Sequence, residues 1–323
     1  MLIEFLIVLV GLVIVLLMAE IIINNSISLA KHYGLSGTFM GLTLLSIGTS
    51  IPEIMTHIIG SIDILKNPSQ MNSLSGLLLG TNIGSDIFQQ NFVLAVVGLV
   101  GTVVIIRKNL FSEMGALVAA ALLVWVFSLG GFISRIEGAI LLLAYVGYLI
   151  YLKRRNIREK FLAENNLNRK QVLFAFMLIL FSFIVMAVVA DEVLDASTVL
   201  VSLLPISASF FGIIILGISS ALPELTTSLV AVFKKNKDIS AGIIIGSNIT
   251  NPLFGIGLGA LISTYRVPNV IVLFDLPIKI FTALLIYYFL IRNEKLNRWE
   301  AVVMILLYLA YVFVRQVYFP VDF

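Results

Sequence analysis

The chain has 323 residues, of which 60% are hydrophobic and 12% charged, and its formal net charge is +3. A soluble domain carries about 25% charged residues, so this composition, with a mean hydropathy of +1.08, excludes a soluble globular protein. Cysteine is absent, which excludes disulfides and thiolate metal sites, and the few basic residues sit in short gaps between apolar runs, which is not a nucleic-acid signal.

Apolar stretches near the roughly 20-residue spanning length recur from one end to the other. In chain order, ten spans are predicted at 2–29, 37–62, 73–104, 111–131, 134–152, 171–195, 203–232, 239–263, 270–291 and 299–318. The first lacks a basic leader and an A-x-A cleavage site and carries Glu4 and Glu20, so it reads as a retained span. Residues 153–170, KRRNIREKFLAENNLNRK, form the only long polar interval. They divide the chain into 1–152 and 171–323, five spans each.

The two halves are copies. GLTLLSIGTSIPEIMTH at 41–57 matches GIIILGISSALPELTTS at 212–228 at an offset of 171, aligning Gly41 with Gly212, Pro52 with Pro223 and Glu53 with Glu224. Glu20 matches Asp191 at the same offset. Gly84-Ser85 matches Gly246-Ser247 at 162, and Arg135, Glu137, Tyr145 and Tyr148 match Arg298, Glu300, Tyr308 and Tyr311 at 163. A repeat with an odd number of spans enters the membrane from opposite sides in its two copies. The predicted fold is therefore an all-α polytopic membrane protein of ten transmembrane helices, arranged as two inverted five-helix repeats.

Charge gives an independent orientation. With 153–170 in the cytoplasm, the gaps at 31–36, 105–110, 233–238 and 292–298 join it and together hold 16 of the 21 Lys and Arg residues. Lys66, Arg135, Arg266, Lys279 and Arg315 fall on the other side or at span ends. The positive-inside rule then places both termini outside, in a multi-pass cell-membrane protein.

A carboxylate at membrane depth costs about 2.5–3.5 kcal/mol, so Glu53 and Glu224 mark one shared site. Pro52 and Pro223 cannot donate a hydrogen bond to Gly48 and Ser219, so each helix breaks there and frees carbonyls near 46–48 and 217–219. Open backbone at this depth survives only against protein or a polar cavity. The third and eighth spans supply GTNIGSDIFQQN at 80–91 and GSNITNPLFG at 246–255. Ser85 and Gln89 share one helix face, as do Ser247 and Asn251. Small-residue helix packing explains these glycines and serines but not a carboxamide recurring on the same face of both halves. Asp86 and Asn248 point about 100° away from that face and read as capping or interhelix groups, with a third charge in the site as the alternative for Asp86. Carboxylates, amides, the hydroxyls of Thr49, Ser50, Ser85, Ser220 and Ser247, and freed carbonyls make an all-oxygen site for a hard cation, Ca²⁺ first, with Na⁺ using part of the set.

These residues carry a resemblance. G-T-S-I-P-E at 48–53, its copy S-S-A-L-P-E at 219–224 and the G-S-x-I segments at 84–87 and 246–249 resemble the two alpha repeats of the sodium/calcium exchanger family, within the cation/calcium antiporter superfamily. R-I-E-G at 135–138 and R-W-E-A at 298–301 extend the likeness over nearly the whole chain. The resemblance implies alternating access and Na⁺ influx driving Ca²⁺ efflux. By position it implies side-chain ligands at Thr49, Ser50, Glu53, Ser85, Gln89, Ser220, Glu224, Ser247 and Asn251, with backbone oxygens from Ser46 and Gly217. No resident cofactor is implied, since the ions are substrates; lipid is the other partner, and a monomer is expected. Three positions depart from the family pattern: Ala221 lacks a hydroxyl, Asn251 replaces an aspartate and Gln89 replaces an asparagine or aspartate. Proton coupling through Glu53 or Glu224 therefore stays open beside Na⁺ coupling.

Other classes fit less well. A serine enzyme needs a base in reach, and neither histidine lies near the second repeat. An acid pair is able to do acid–base chemistry, yet needs no inverted duplication. A passive channel is compatible with the ligand set but leaves two converging broken helices unexplained. Glu20 and Asp191 line the ion path or share a buried helix–helix hydrogen bond. His32 reads as a solvated loop residue, and His57, whose counterpart is Ser228, reads as a packing residue or proton shuttle.

Overall fold

The computed structural model describes residues 2–33, 40–101, 107–156, 167–203, 206–233, 237–293, 295–319 and 321–322. Most of the basic interval 153–170, the predicted start of the second span and the predicted end of the third lie outside the described residues. The main helices are α1 (Leu2–His32), α2 (Ile51–Lys66), α3 (Met71–Phe88), α4 (Arg107–Ser128), α5 (Arg135–Asn156), α6 (Arg169–Leu203), α7 (Leu222–Phe233), α8 (Lys237–Thr250), α9 (Leu276–Asn293) and α10 (Arg298–Tyr318). Among the described residues nine helical runs are long and apolar enough to cross a membrane, and the tenth span is Gly41–Thr49 joined to α2 through a 53° bend. The chain is an all-α polytopic membrane protein. Its described strands are two-residue pieces, β1 (Phe132–Ile133) and β2 (Tyr265–Arg266), paired antiparallel.

That small ladder reports the inversion. β1 connects the fourth and fifth spans of the first half, whereas β2 connects the third and fourth spans of the second. Two such connections lie on opposite sides of a single repeat. They hydrogen-bond here because the two halves run in opposite senses.

The inner spans pack across the repeats, and glycine sets their spacing. A Cβ on Gly80 of α3 would lie 2.3 Å from the Ser209 carbonyl, and one on Gly84 would lie 2.5 Å from the Ile213 Cα. From the other side, a Cβ on Gly212 would lie 2.5 Å from the Leu77 carbonyl. In the same way Gly246 of α8 packs on Leu42 and Ser46, and Gly242 packs on Gly41. Each repeat's broken span thus lies against the other repeat's polar helix. Small residues let backbones approach this closely in a membrane, where association depends on packing.

The break and its surroundings are duplicated too. Ser50 (φ −81°, ψ 3°) and Ala221 (φ −84°, ψ −1°) leave the helical path at equivalent positions, one residue before α2 and α7 begin. π-helical turns occupy Met40–Leu45 and Gly212–Leu216, matched at offset 171, and Gln89–Val93 and Asn251–Ile256, matched at 162. Such turns insert an extra residue and often accompany functional sites. A fifth, at Ile271–Asp275, precedes α9.

α1 and α6 lie outside this core and pack on each other, with Gly11 against Val189 and Val193. α6 continues to Leu203, beyond the predicted end at 195. Asp191, Glu192 and Asp195 are exposed there, so these acids prolong the helix without being buried. Glu20 is exposed as well, which rules out a buried hydrogen bond between it and Asp191. His32 ends α1 half-buried and accepts the Leu167 N–H at 3.2 Å, rather than standing in a solvated loop.

Two basic residues assigned from the sequence to the outer side or span ends are fully buried: Lys279 and Arg315. Arg315 pairs with Asp275 at 3.2 Å and donates to the Ser209 hydroxyl and the Phe319 carbonyl. Tyr311 donates to Asp275 at 2.9 Å, and Asp322 accepts the Ser209 N–H at 3.0 Å. Partners on every side are what allow a guanidinium this deep. The cluster fastens the chain's last residues to the start of the seventh span.

Candidate cation site

Glu53 and Glu224 each stand in the first turn of a half-helix, α2 and α7, and both are fully buried. The positive end of a helix dipole favours a carboxylate there. Ser220 faces Glu53 and Thr49 faces Glu224, so each carboxylate meets a hydroxyl of the opposite repeat.

On α3, Ser85 donates to Glu53 Oε1 at 2.7 Å and accepts from Gln89 Nε2 at 2.9 Å. The Gln89 oxygen accepts from the Ser247 hydroxyl and from Asn248 Nδ2 of α8, the latter at 3.2 Å. The relay Glu53–Ser85–Gln89–Ser247 therefore joins the repeats, and it engages the amide oxygen that the sequence reading counted as a ligand. The two expected backbone ligands hold local bonds as well. Ser46 O accepts from the Ser50 N–H (3.0 Å) and the Thr49 hydroxyl (3.3 Å), and Gly217 O accepts from the Ala221 N–H and the Ser220 hydroxyl, both at 3.2 Å.

What stays unpaired is nearly all acceptor. Glu53 Oε2, both oxygens of Glu224, the Ser50 hydroxyl and Asn251 Oδ1 are buried with no hydrogen-bond partner among the described residues. Buried carboxylate oxygens without a donor are expensive, costing several kcal/mol per ion even after relaxation. A cation supplies what hydrogen-bond donors do not. No group of three or more His, Cys, Asp or Glu side chains converges among the described residues as a resident metal centre would. Two carboxylates among neutral oxygens suit an ion that binds and leaves.

A pair that the sequence reading missed lies behind Asn251. Asp86 Oδ1 accepts from Asn251 Nδ2 at 2.8 Å, and Asp86 Oδ2 is ion-paired with Lys279 of α9, all three side chains being buried. Asn82 donates to the Asn251 carbonyl at 2.9 Å. The amide nitrogen of Asn251 is thereby held on Asp86, which leaves its oxygen turned away. His57, one turn beyond Glu53, is buried with Nδ1 2.9 Å from the Tyr265 hydroxyl, which sits 2.6 Å from Ser61. Tyr145 is buried too, 3.2 Å from the Thr250 hydroxyl and stacked on Phe254.

The profile of the family described as sodium/calcium exchanger protein matches residues 3–153 and 174–317, nearly all of both halves. The chain belongs to that family. It is a secondary active cation antiporter and not an enzyme. Among relatives of this exchanger, the uncharacterized membrane protein MJ0091 of Methanocaldococcus jannaschii is 28% identical over 302 residues, covering 93% of this chain and 94% of its own. The sodium/calcium exchanger MaX1 of Methanosarcina acetivorans is 25% identical, covering 96% and 98%. The inner membrane protein YrbG of Escherichia coli is 28% identical, covering 79% and 78%. A solved structure of the sodium-calcium exchanger NCX_Mj, soaked with Na⁺ and Sr²⁺, superposes with a TM-score of 0.68 at 25% identity, covering 96% of this chain and 97% of that one.

Proposed function

We propose that this antiporter exchanges Ca²⁺ for Na⁺ across the cell membrane, by alternating access around one site shared by its halves, 1–152 and 171–323. Glu53 and Glu224 carry the charge that balances the divalent ion. Thr49, Ser50, Ser85, Ser220 and Asn251 complete the oxygen shell, with Ser46 and Gly217 giving backbone oxygens and Gln89 and Ser247 bracketing the site from α3 and α8. The observation that carries the reading is the set of buried, donor-free carboxylate oxygens at the meeting point of two broken helices. Ca²⁺ takes six to eight oxygen ligands at flexible geometry, which a site of this kind provides.

The test is Ca²⁺ uptake into vesicles holding the purified full chain, with an outward Na⁺ gradient at fixed pH and then with Na⁺ replaced by choline. Uptake is expected to stop in choline. Uptake that continues in choline and follows a pH gradient makes the protein a proton-coupled exchanger instead.

The expected orientation has the 153–170 segment in the cytoplasm and both termini outside, with a single chain forming the working unit. With Lys279 and Arg315 buried, the basic residues left opposing the 16 cytoplasmic ones are Lys66, Arg135 and Arg266. That bias favours the proposed sidedness. Lys170→Cys and Val321→Cys, at two exposed positions of a cysteine-free chain, are expected to react with an impermeant thiol reagent from opposite faces. Labelling of both from one face overturns the orientation.

A further inference from the structure

We infer that Asp86 and Lys279 are positioning residues of the cation site: between them they fix which end of the Asn251 amide faces the passenger ion. This rests on the cation-site reading above and adds two residues that act through Asn251.

An asparagine side chain offers an oxygen at one end and a nitrogen at the other, and only the oxygen suits a cation. The group behind it decides which end is free. Asp86 is fully buried and its carboxylate only accepts: Oδ2 is ion-paired with the Lys279 ammonium, and Oδ1 takes Asn251 Nδ2 at 2.8 Å. The nitrogen of Asn251 is its only side-chain donor, so Oδ1 is left buried and unpartnered. Lys279 is what keeps a carboxylate at this depth, since a buried charge without a partner is strongly destabilising. Its own place is fixed from the third span: the Lys279 carbonyl accepts from Gln90 Nε2 at 2.8 Å, and the Thr282 hydroxyl accepts from Asn91 Nδ2 at 3.2 Å. Asn82 holds the backbone of Asn251 by donating to its carbonyl at 2.9 Å.

The other repeat makes the same contact with the opposite outcome. At the offset of 162, Asp86 matches Asn248 and Asn251 matches Gln89, so Asn248–Gln89 is the counterpart of Asp86–Asn251. There the group behind is an amide. Asn248 donates Nδ2 to Gln89 Oε1 at 3.2 Å, which occupies that oxygen, and the Gln89 nitrogen turns to Ser85 at 2.9 Å. One molecule thus holds both arrangements: a carboxylate behind frees the amide oxygen, and an amide behind engages it.

Asp86→Asn tests this while keeping the shape of the side chain. The Lys279 ammonium has donors only, so it takes the one oxygen of the new amide. The new nitrogen then faces Asn251, whose oxygen turns to it and whose own nitrogen turns to the site, as at Gln89. Ca²⁺ affinity is measured by calorimetry on the purified full chain, with thermal unfolding alongside to show that each variant is folded. It is expected to fall about 10–100-fold, the usual loss when the partner behind a metal ligand is removed. Adding Asn251→Asp, which has an oxygen for each neighbour, is expected to recover most of that loss, whereas Asn251→Asp alone sets two carboxylates together and weakens binding. A merely structural ion pair does not reverse the sign of Asn251→Asp. In Lys279→Met, where no ammonium claims the oxygen at position 86, Asp86→Asn is expected to cost less; an equal cost removes Lys279 from the role. Charge acting through space is separated in Asn251→Ala, which has no amide to turn. There Asp86→Asn is expected to change Ca²⁺ affinity by no more than about twofold. A loss in that background as large as in the full chain overturns the inference, as does Asn251→Asp failing to improve Asp86→Asn. Wild type that binds no Ca²⁺ sinks the cation-site reading itself, while intact wild-type binding with equal losses in every background sinks the inference alone.

Discussion

Glu53→Gln and Glu224→Gln are each expected to abolish divalent transport while leaving the protein folded in its membrane. Glutamine keeps the shape of the side chain and the first turn of α2 or α7, so the change is one of charge. At an effective dielectric of about 20, one unit charge 4 Å from another is worth about 4 kcal/mol, and a divalent ion doubles it. Even the single-charge figure corresponds to roughly a thousandfold in affinity. The two substitutions are not equivalent. Glu53 shares one oxygen with the Ser85 hydroxyl at 2.7 Å, so an amide there also disturbs the relay through Gln89 to Ser247. Neither oxygen of Glu224 is engaged in a hydrogen bond among the described residues, although Thr49 faces it, so its replacement removes charge and breaks no relay. Ca²⁺ flux in vesicles, alongside a monodisperse elution profile in detergent, separates lost transport from lost fold. Wild-type flux in Glu224→Gln would remove the site from this part of the molecule.

The inverted repeat and its two glutamates were legible in the sequence for one reason: a charge inside an apolar run stands out, and duplication doubles the signal. The same argument applies to Lys279, nine residues into the predicted span 270–291, and to Arg315. Counting basic residues by side hid them, because that count puts every Lys and Arg on one face, on the other, or at a span end. Their partners were also out of sight. Lys279 reaches Asp86 across 193 residues and Arg315 reaches Asp275 across 40, and no periodicity within a span announces either pair. The direction of an amide is equally silent in sequence. Gln89 turns its oxygen to Ser247 and Asn248, and Asn251 turns its nitrogen to Asp86. Residue types alone made Asn251 a carboxylate lost from the family pattern. With Asp86 2.8 Å from its nitrogen, an aspartate at 251 would set two carboxylates against each other.

Gly84→Ala is expected to impair both folding and transport, with no relief from trimming a neighbouring side chain. The added Cβ meets backbone: the Ile213 Cα at 2.5 Å and its carbonyl oxygen at 2.7 Å. Relief requires α3 and the seventh span to separate by roughly 1 Å, and overpacking of this kind costs about 1–3 kcal/mol. Ser85, the next residue, holds Glu53, so the separation is transmitted directly to a carboxylate of the site. Gly246→Ala is the informative contrast. At the matched position of the other repeat, its Cβ meets side-chain atoms first, Ser46 Cβ at 2.7 Å and Ser46 Oγ at 2.9 Å, and backbone only at the Leu42 Cα, 3.0 Å away. Removing that side chain makes room while keeping the Ser46 carbonyl, the only part of Ser46 assigned to the site. Ser46→Gly with Gly246→Ala is therefore expected to recover part of the thermal stability and flux that Gly246→Ala loses, since the Leu42 Cα at 3.0 Å stays in contact and the hydroxyl's bond to the Leu42 carbonyl at 2.9 Å is lost. Thermal unfolding in detergent and Ca²⁺ uptake, measured on the two single alanine variants and this double variant, check the difference. Equal damage from Gly84→Ala and the double variant would show that helix spacing at these crossings is not what positions the carboxylates.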